Sequence, residues 1–285
     1  MTFATVSGTG NLPKVVLVAR DGARAEIYLH GAHLTSWTPA GTEVDRLFLS
    51  ARSHFEENAA IRGGIPVCFP QFSAQGPLPN HGFARVTPWH LASAGQTTDG
   101  SACAVLRLAD SDASRKMWPH AFALELAVTL TGPWLDVSLS VTNAGTERFD
   151  FTAALHTYLR VADAAATTVH GLDGARYHDK VRGQRDCRES ALALRVDGEV
   201  DRIYCVAPGD LEVREPARAL GVEATGFPDT VVWNPGPAAA SLADLEPGGE
   251  KRMLCIEAAA AANPVALEAG STWRGSQRLT ARQHA

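Results

Sequence analysis

An all-β fold, built as one large antiparallel β-sandwich over residues 1–285, is what the sequence predicts, and three observations carry the prediction. Apolar and polar residues alternate with period two over strand lengths, Gly, Pro, Asn and Asp punctuate the chain at short spacing, and long helical periodicity is nearly absent. Successive side chains on a strand point to opposite faces, so each such strand carries an apolar face that must be buried by stacking sheets. No repeat, low-complexity tract or clear linker divides the chain.

Taken in order, residues 14–18 and 24–29 are the first strand candidates. Residues 103–108, 122–130 and 135–141 follow, with Thr131-Gly132-Pro133 as the turn between the last two and Asn143-Ala144-Gly145-Thr146 as the turn after them. A short helix fits residues 111–117. Residues 151–161, 202–206, 211–214, 230–233, 253–258 and 265–267 complete the strand set, and the Pro- and Ala-rich stretch 235–240 reads as an exposed loop.

Composition excludes several classes of function. A hydrophobic content of 45% over 285 residues is enough for a sizeable core without metals or disulfides. The net charge of −5 gives no general attraction to nucleic acid or anionic lipid, so an anion site must be built locally. The cysteines, Cys68, Cys103, Cys187, Cys205 and Cys255, are odd in number and widely spaced, which fits reduced thiols in the cytoplasm better than a disulfide frame or a zinc site. The N-terminal residues lack the basic start and apolar run of a signal peptide, and no stretch approaches a membrane span.

The chemistry concentrates in a few places. The run Ala60-Ile61-Arg62-Gly63-Gly64-Ile65-Pro66-Val67-Cys68-Phe69-Pro70-Gln71-Phe72 and the string His81-Gly82-Phe83-Ala84-Arg85 place two arginines and a histidine in backbone too rich in Gly and Pro for a helix. Guanidinium forks match phosphate oxygens, although exposed loop arginines in weak ion pairs are the plainer reading. In residues 151–161, His156 shares a strand face with Thr152, Ala154, Tyr158 and Arg160, a polar face suited to a polyol; a histidine satisfied by neighbouring hydroxyls is the alternative. Glu257 shares a face with Met253 and Cys255, where a strand-end glutamate in solvent is the alternative. Asp201 reads either as a ligand-holding acid or as a turn aspartate with Gly198. His30 and His33 are too close together to suggest zinc without a matching carboxylate or thiol, and read as structural.

These strings resemble the hexose-6-phosphate mutarotases (glucose-6-phosphate 1-epimerases) of the aldose 1-epimerase superfamily. The likeness rests on Ile61-Arg62-Gly63-Gly64-Ile65-Pro66, His81-Gly82-Phe83-Ala84-Arg85, His156-Thr157-Tyr158, Cys255-Ile256-Glu257 and Trp233-Asn234-Pro235. It implies a galactose mutarotase-like supersandwich with His156 and Glu257 as the catalytic pair. Arg62 and Arg85 would hold the phosphate, Gln71 and His81 would donate to sugar hydroxyls, with His81 equally able to cap its loop, and Asp201 would hold hydroxyls or orient the histidine. Two departures stand out: Ala258-Ala259 replaces the usual Pro-Gly, and the lysine and aromatic residues usual after Trp-Asn-Pro are missing from residues 236–240.

The implied activity is interconversion of the α and β anomers of a hexose 6-phosphate. Ring opening needs one group to take the anomeric hydroxyl proton and another to protonate the ring oxygen. Reference pKa values of about 4.3 and about 6.5 allow Glu and His to do this near neutrality, with no cofactor or metal. The expectation is a cytoplasmic monomer acting on a small sugar phosphate, with neither nucleic acid nor membrane as partner. An epimerase for unphosphorylated aldoses and a non-catalytic carbohydrate-binding or sensing protein are the alternatives.

Overall fold

The computed structural model describes residues 3–206 and 209–283. Among these, the strands form three antiparallel sheets. A four-stranded sheet takes Phe3–Ser7, Pro13–Val18, Arg24–Tyr28 and His33–Thr38 in sequence order. A nine-stranded sheet runs Ala193–Arg195, Thr168–His170, Leu211–Arg214, Arg218–Thr225, Thr272–Gln283, Trp134–Asn143, Phe122–Thr131, Ala102–Ala109, His90–Gln96. The third sheet, of eight strands, runs Gln184–Arg188, Arg176–Asp179, Val200–Tyr204, Asp229–Asn234, Met253–Leu267, Phe149–Leu155, Val67–Cys68, with Tyr158–Arg160 pairing Met253–Leu267 beside Phe149–Leu155.

One apolar cluster joins all three, taking Leu17 and Ile27 from the first, Leu126 and Val137 from the second, and Leu155 and Ile256 from the third. The predicted sandwich is what forms, because the alternation of strands such as Phe122–Thr131 supplies one face to this cluster. The predicted hairpin is present, with Thr131 opposite Trp134. The predicted helix is Asp112–Met117, and its Ser111 cap accepts a hydrogen bond from the Ser114 backbone at 3.2 Å.

The structure corrects three readings of the chain. Residues 151–161 are two strands, Phe149–Leu155 and Tyr158–Arg160, broken at His156-Thr157. Residues 253–258 and 265–267 are one strand, Met253–Leu267, which bulges where the partner register steps from Phe151 opposite Val265 to Ala153 opposite Ala260. Buried Asp229 makes the bulge affordable by accepting the N–H groups of Ala261, Ala262 and Asn263 at 2.8 to 3.0 Å. Glu257 is therefore in mid-strand and not at a strand end in solvent. The stretch read as an exposed loop at 235–240 holds the 3-10 helix Gly236–Ser241.

Candidate active site

The first face of the eight-stranded sheet enters the core, and the second carries the site. Cross-strand register lines up its side chains: Asp201 opposite Trp233, Trp233 opposite Cys255, and Cys255 opposite Tyr158, with Val231 opposite Glu257 in the next row. His156 lies at the strand break, two residues before the pairing resumes at Tyr158. Its Nδ1 is 3.4 Å from Glu257 Oε1. Both side chains are buried, and among the described residues His156 Nδ1 and Glu257 Oε2 have no hydrogen-bond partner. Buried polar atoms in native proteins are normally satisfied, so two orphans facing one spot mark a place for a polar ligand.

The position of the pair is held from behind by the opposite sheet. Gln277, buried on Thr272–Gln283, donates from Nε2 to the Ile256 carbonyl at 2.9 Å and accepts the Thr157 hydroxyl on Oε1. The two residues it grips are the immediate neighbours of Glu257 and His156. Nothing in the sequence around Gln277 signals this, because the link depends on two sheets meeting. On the front side, Tyr158 stacks on His156 with ring centres 4.8 Å apart, and Trp233 meets His156 edge-on at 5.8 Å.

The glycine-rich run is stitched alongside. His156 N–H donates to the Pro66 carbonyl at 3.0 Å and Tyr158 N–H to that of Gly64 at 2.9 Å. Gly63 and Gly64 have φ of +115° and +61°, and a Cβ on them would lie 2.4 Å from the Phe48 oxygen and 2.2 Å from the Leu34 oxygen. His30 and His33 back this run through their Nε2 atoms, each 2.7 Å from the carbonyl of Ala59 and Gly63 respectively, which agrees with a structural role. Burial pushes the His33 pKa down to about 3, so it serves as a neutral donor.

Arg62 is brought to the site but is not free. Its Nε donates to Asp244 Oδ2 at 3.1 Å and its Nη1 to the Tyr158 hydroxyl at 3.0 Å. Asp244, on the loop before Met253–Leu267, was invisible as a site residue because 182 positions separate the two. Arg85 donates from Nη2 to the Asn80 carbonyl at 2.8 Å, leaving most of its guanidinium for other partners. Both arginines act on His156 electrostatically.

His81 serves its loop and the site together. Its Nδ1 accepts the Ser73 backbone N–H at 3.2 Å, which puts the ring proton on Nε2, while its ring centre is 5.2 Å from that of His156. Burial, with Arg85, Lys180 and Arg62 nearby, holds its pKa down at about 3, so it stays neutral and donates from Nε2. Gln71 was expected to donate to sugar hydroxyls; the structure gives its amide another task. Nε2 donates to the Ser73 and Leu78 carbonyls, both at 3.0 Å, and Oε1 accepts Leu78 N–H at 2.9 Å, so the amide ties the loop to itself.

Asp201 lies on Val200–Tyr204 and not in a turn, and it pairs with Lys180 Nζ at 2.7 Å. Sequence reasoning passed over Lys180. It acts electrostatically on both Glu257 and His81, so it belongs to this cluster. Only strand pairing, through its N–H bond to the Asp201 carbonyl at 2.8 Å, reveals that.

Electrostatics push the central pair toward neutrality. Burial first, and Asp201 second, raise the Glu257 pKa well above the usual carboxyl range, against opposition from Lys180 and Arg85. Burial first, then His81, Arg85 and Arg62, lower His156 well below the usual imidazole range. Both shifts favour the uncharged form of each group. Around the pair stand three cations, Arg62, Arg85 and Lys180, against two carboxylates, Asp201 and Asp244, an excess of one positive charge.

The arrangement joins a carboxyl and an imidazole at the centre of a weakly cationic, polar cluster, and known proteins resemble the chain over most of its length. Residues 13–280 match the family described as aldose 1-epimerase. A candidate glucose-6-phosphate 1-epimerase of Escherichia coli is 39% identical over 254 residues, covering 86% of this chain and 82% of that protein. One from Cenchrus ciliaris is 37% identical over 289 residues, covering 97% and 87%. The crystal structure of a candidate mutarotase from Salmonella typhimurium superposes with a TM-score of 0.90 at 31% identity, covering 99% of this chain and 94% of that one.

Proposed function

The chain belongs to the aldose 1-epimerase family, and on that premise we propose that it interconverts the α and β anomers of a hexose 6-phosphate, with glucose 6-phosphate as the first substrate to test. The observation that carries the reading is the buried His156–Glu257 pair, 3.4 Å apart, with an unpartnered atom on each.

The mechanism needs one proton and no net charge change. With the sugar's anomeric end against the pair, the neutral imidazole of His156 takes the proton of the C1 hydroxyl while the Glu257 carboxyl gives its proton to the ring oxygen. The C1–O5 bond breaks as C1 becomes an aldehyde. The pair is now carboxylate and imidazolium, the same proton count in another distribution. Rotation about C1–C2 exposes the other aldehyde face, and closure returns both protons. Burial favours the uncharged form of each group, which sets this start; the reverse direction of the same cycle has Glu257 as base. In this reading His81 Nε2–H and the Asp201 carboxylate hold sugar hydroxyls, and Arg85, with Arg62 and Lys180, meets the phosphate.

The test is anomer exchange of glucose 6-phosphate and of glucose, measured by NMR magnetisation transfer. Acceleration above the spontaneous rate, larger for the phosphate, is expected, and a Glu257→Gln protein should lose it. No acceleration on either sugar would leave a binding protein. One observation favours an unphosphorylated substrate: Arg62 is already paired with Asp244. Equal rates on both sugars would establish that second reading.

A further inference from the structure

The same face carries a set of atoms suited to a different ligand. His156 Nδ1, Cys255 Sγ and a carboxylate oxygen of Glu257 all lie within 4.8 Å of one another, and all three side chains are buried. Zinc takes N, S and O donors in tetrahedral sites at about 2.0 to 2.3 Å, which places neighbouring ligand atoms about 3.3 to 3.8 Å apart. The His156–Glu257 separation of 3.4 Å is already that of one tetrahedral edge. The Cys255 Sγ atom lies within 4.8 Å of both. His156 Nδ1 and Glu257 Oε2, both on side chains more than nine-tenths buried, lack a partner and supply the second observation that a ligand belongs here.

We propose that His156, Cys255 and Glu257 form a zinc site through which a soft divalent cation shuts the sugar site. Binding breaks the Cys255 S–H bond, its proton and that of the Glu257 carboxyl pass to solvent, and the metal gains a thiolate, a carboxylate and an imidazole, with a fourth position left for water. A thiolate in the set selects zinc, cadmium or cobalt over magnesium and calcium, which prefer oxygen alone. Because metal and sugar use the same two groups, each excludes the other.

The site is tested on the full-length protein by titration with zinc, and with cobalt as a spectroscopic stand-in. One equivalent should bind with a near-ultraviolet thiolate-to-cobalt charge-transfer band, and glucose 6-phosphate should weaken zinc binding. Cys255→Ala should abolish the band and weaken zinc at least tenfold, with Cys255→Ser as the second variant if the alanine protein does not fold. Cys205→Ala is the control, since Cys205 Sγ and His178 Nε2 lie 3.5 Å apart on the same sheet. Unchanged zinc affinity in the Cys255 variants, loss in Cys205→Ala instead, or binding without the band would overturn the proposal. The spectroscopic readout does not depend on anomer exchange, so a protein inactive on every sugar but still binding cobalt through Cys255 would refute the proposed function and leave the metal site standing.

Discussion

The strand Phe122–Thr131 alternates buried and half-buried residues along its whole length, whereas the first nine residues of Met253–Leu267 are buried without a break. Phe122–Thr131 has one face in the core and one toward solvent. Along Met253–Leu267, Leu254, Ile256 and Ala258 enter the main core, while Met253 and Cys255 join a separate small cluster on the other face. Glu257 sits on that second face with an unsatisfied oxygen. The difference teaches where function resides in a sandwich: a strand buried on both faces yet carrying an acid on one of them has a site there, because burying an acid without a partner is costly and persists only where a ligand or reaction uses it.

The sharpest way to break this comparison is to remove one residue from each strand. Leu126→Ala, in the core below Phe122–Thr131, should lower stability by about 2 to 5 kcal/mol through its cavity and leave kcat near normal well below the melting temperature. Glu257→Gln should do the reverse, cutting anomer exchange about a hundredfold or more with the fold intact. Denaturant melts and exchange rates of both proteins decide it; a strongly destabilised Glu257→Gln would make the glutamate a structural residue.

Next in size are the arginines. Arg85→Ala removes a charge-assisted contact of about 1.5 to 3 kcal/mol, which should raise KM for glucose 6-phosphate about tenfold or more with kcat little changed and glucose unaffected. Arg62→Ala should raise KM too, but also lower stability, since it strands Asp244 and the Tyr158 hydroxyl. Equal losses on both sugars would reassign these arginines to shaping the loop.

pH separates the two faces more gently. Glu257 has a raised folded pKa, so its stabilising proton uptake is fully present below the ordinary carboxyl value of about 4.3 and is lost as pH rises through the folded value. Glu257→Gln lacks that titration, and its melting temperature should gain on the parent protein as pH rises. The lowered His156 pKa acts oppositely, adding no charge until well below the usual imidazole range. Since both shifts lead away from an ordinary imidazole titration, kcat should show no inflection near about 6.5. An inflection there would mean that His156 titrates as an ordinary imidazole. The smallest effect belongs to the solvent face of the nine-stranded sheet, where Glu125→Gln, breaking the exposed pair with Arg107 at 2.9 Å, should change stability by about 0 to 1 kcal/mol and activity not at all.

Legibility follows the same division. Strands such as Ala102–Ala109 and Trp134–Asn143 were readable because one solvent face leaves polar residues at every second position. Thr272–Gln283 was missed, since Gly275 and buried Gln277 interrupt its apolar face. The short edge strands Gln184–Arg188 and Ala193–Arg195 were missed because the first is mostly exposed and the second has only three residues. His156, Glu257, Arg62, Arg85, His81 and Asp201 were named from their strings, and the structure brings them to one face. Gln71 was named for the sugar and turned out to hold its own loop, because a side-chain amide among free backbone groups satisfies them first.

By itself the sequence determined the all-β class, the glycine-rich path that carries Arg62, and the strand face on which Glu257 lies, since each follows from backbone sterics and the period of two. The tertiary structure alone decided the 3.4 Å approach of the pair, the ties of Arg62 to Asp244 and Lys180 to Asp201, the support of Gln277 from the opposite sheet, and the neutral state of the pair. Each of these depends on which distant strands pair and how deeply they are buried, and neither register nor desolvation is a property of a local stretch of chain.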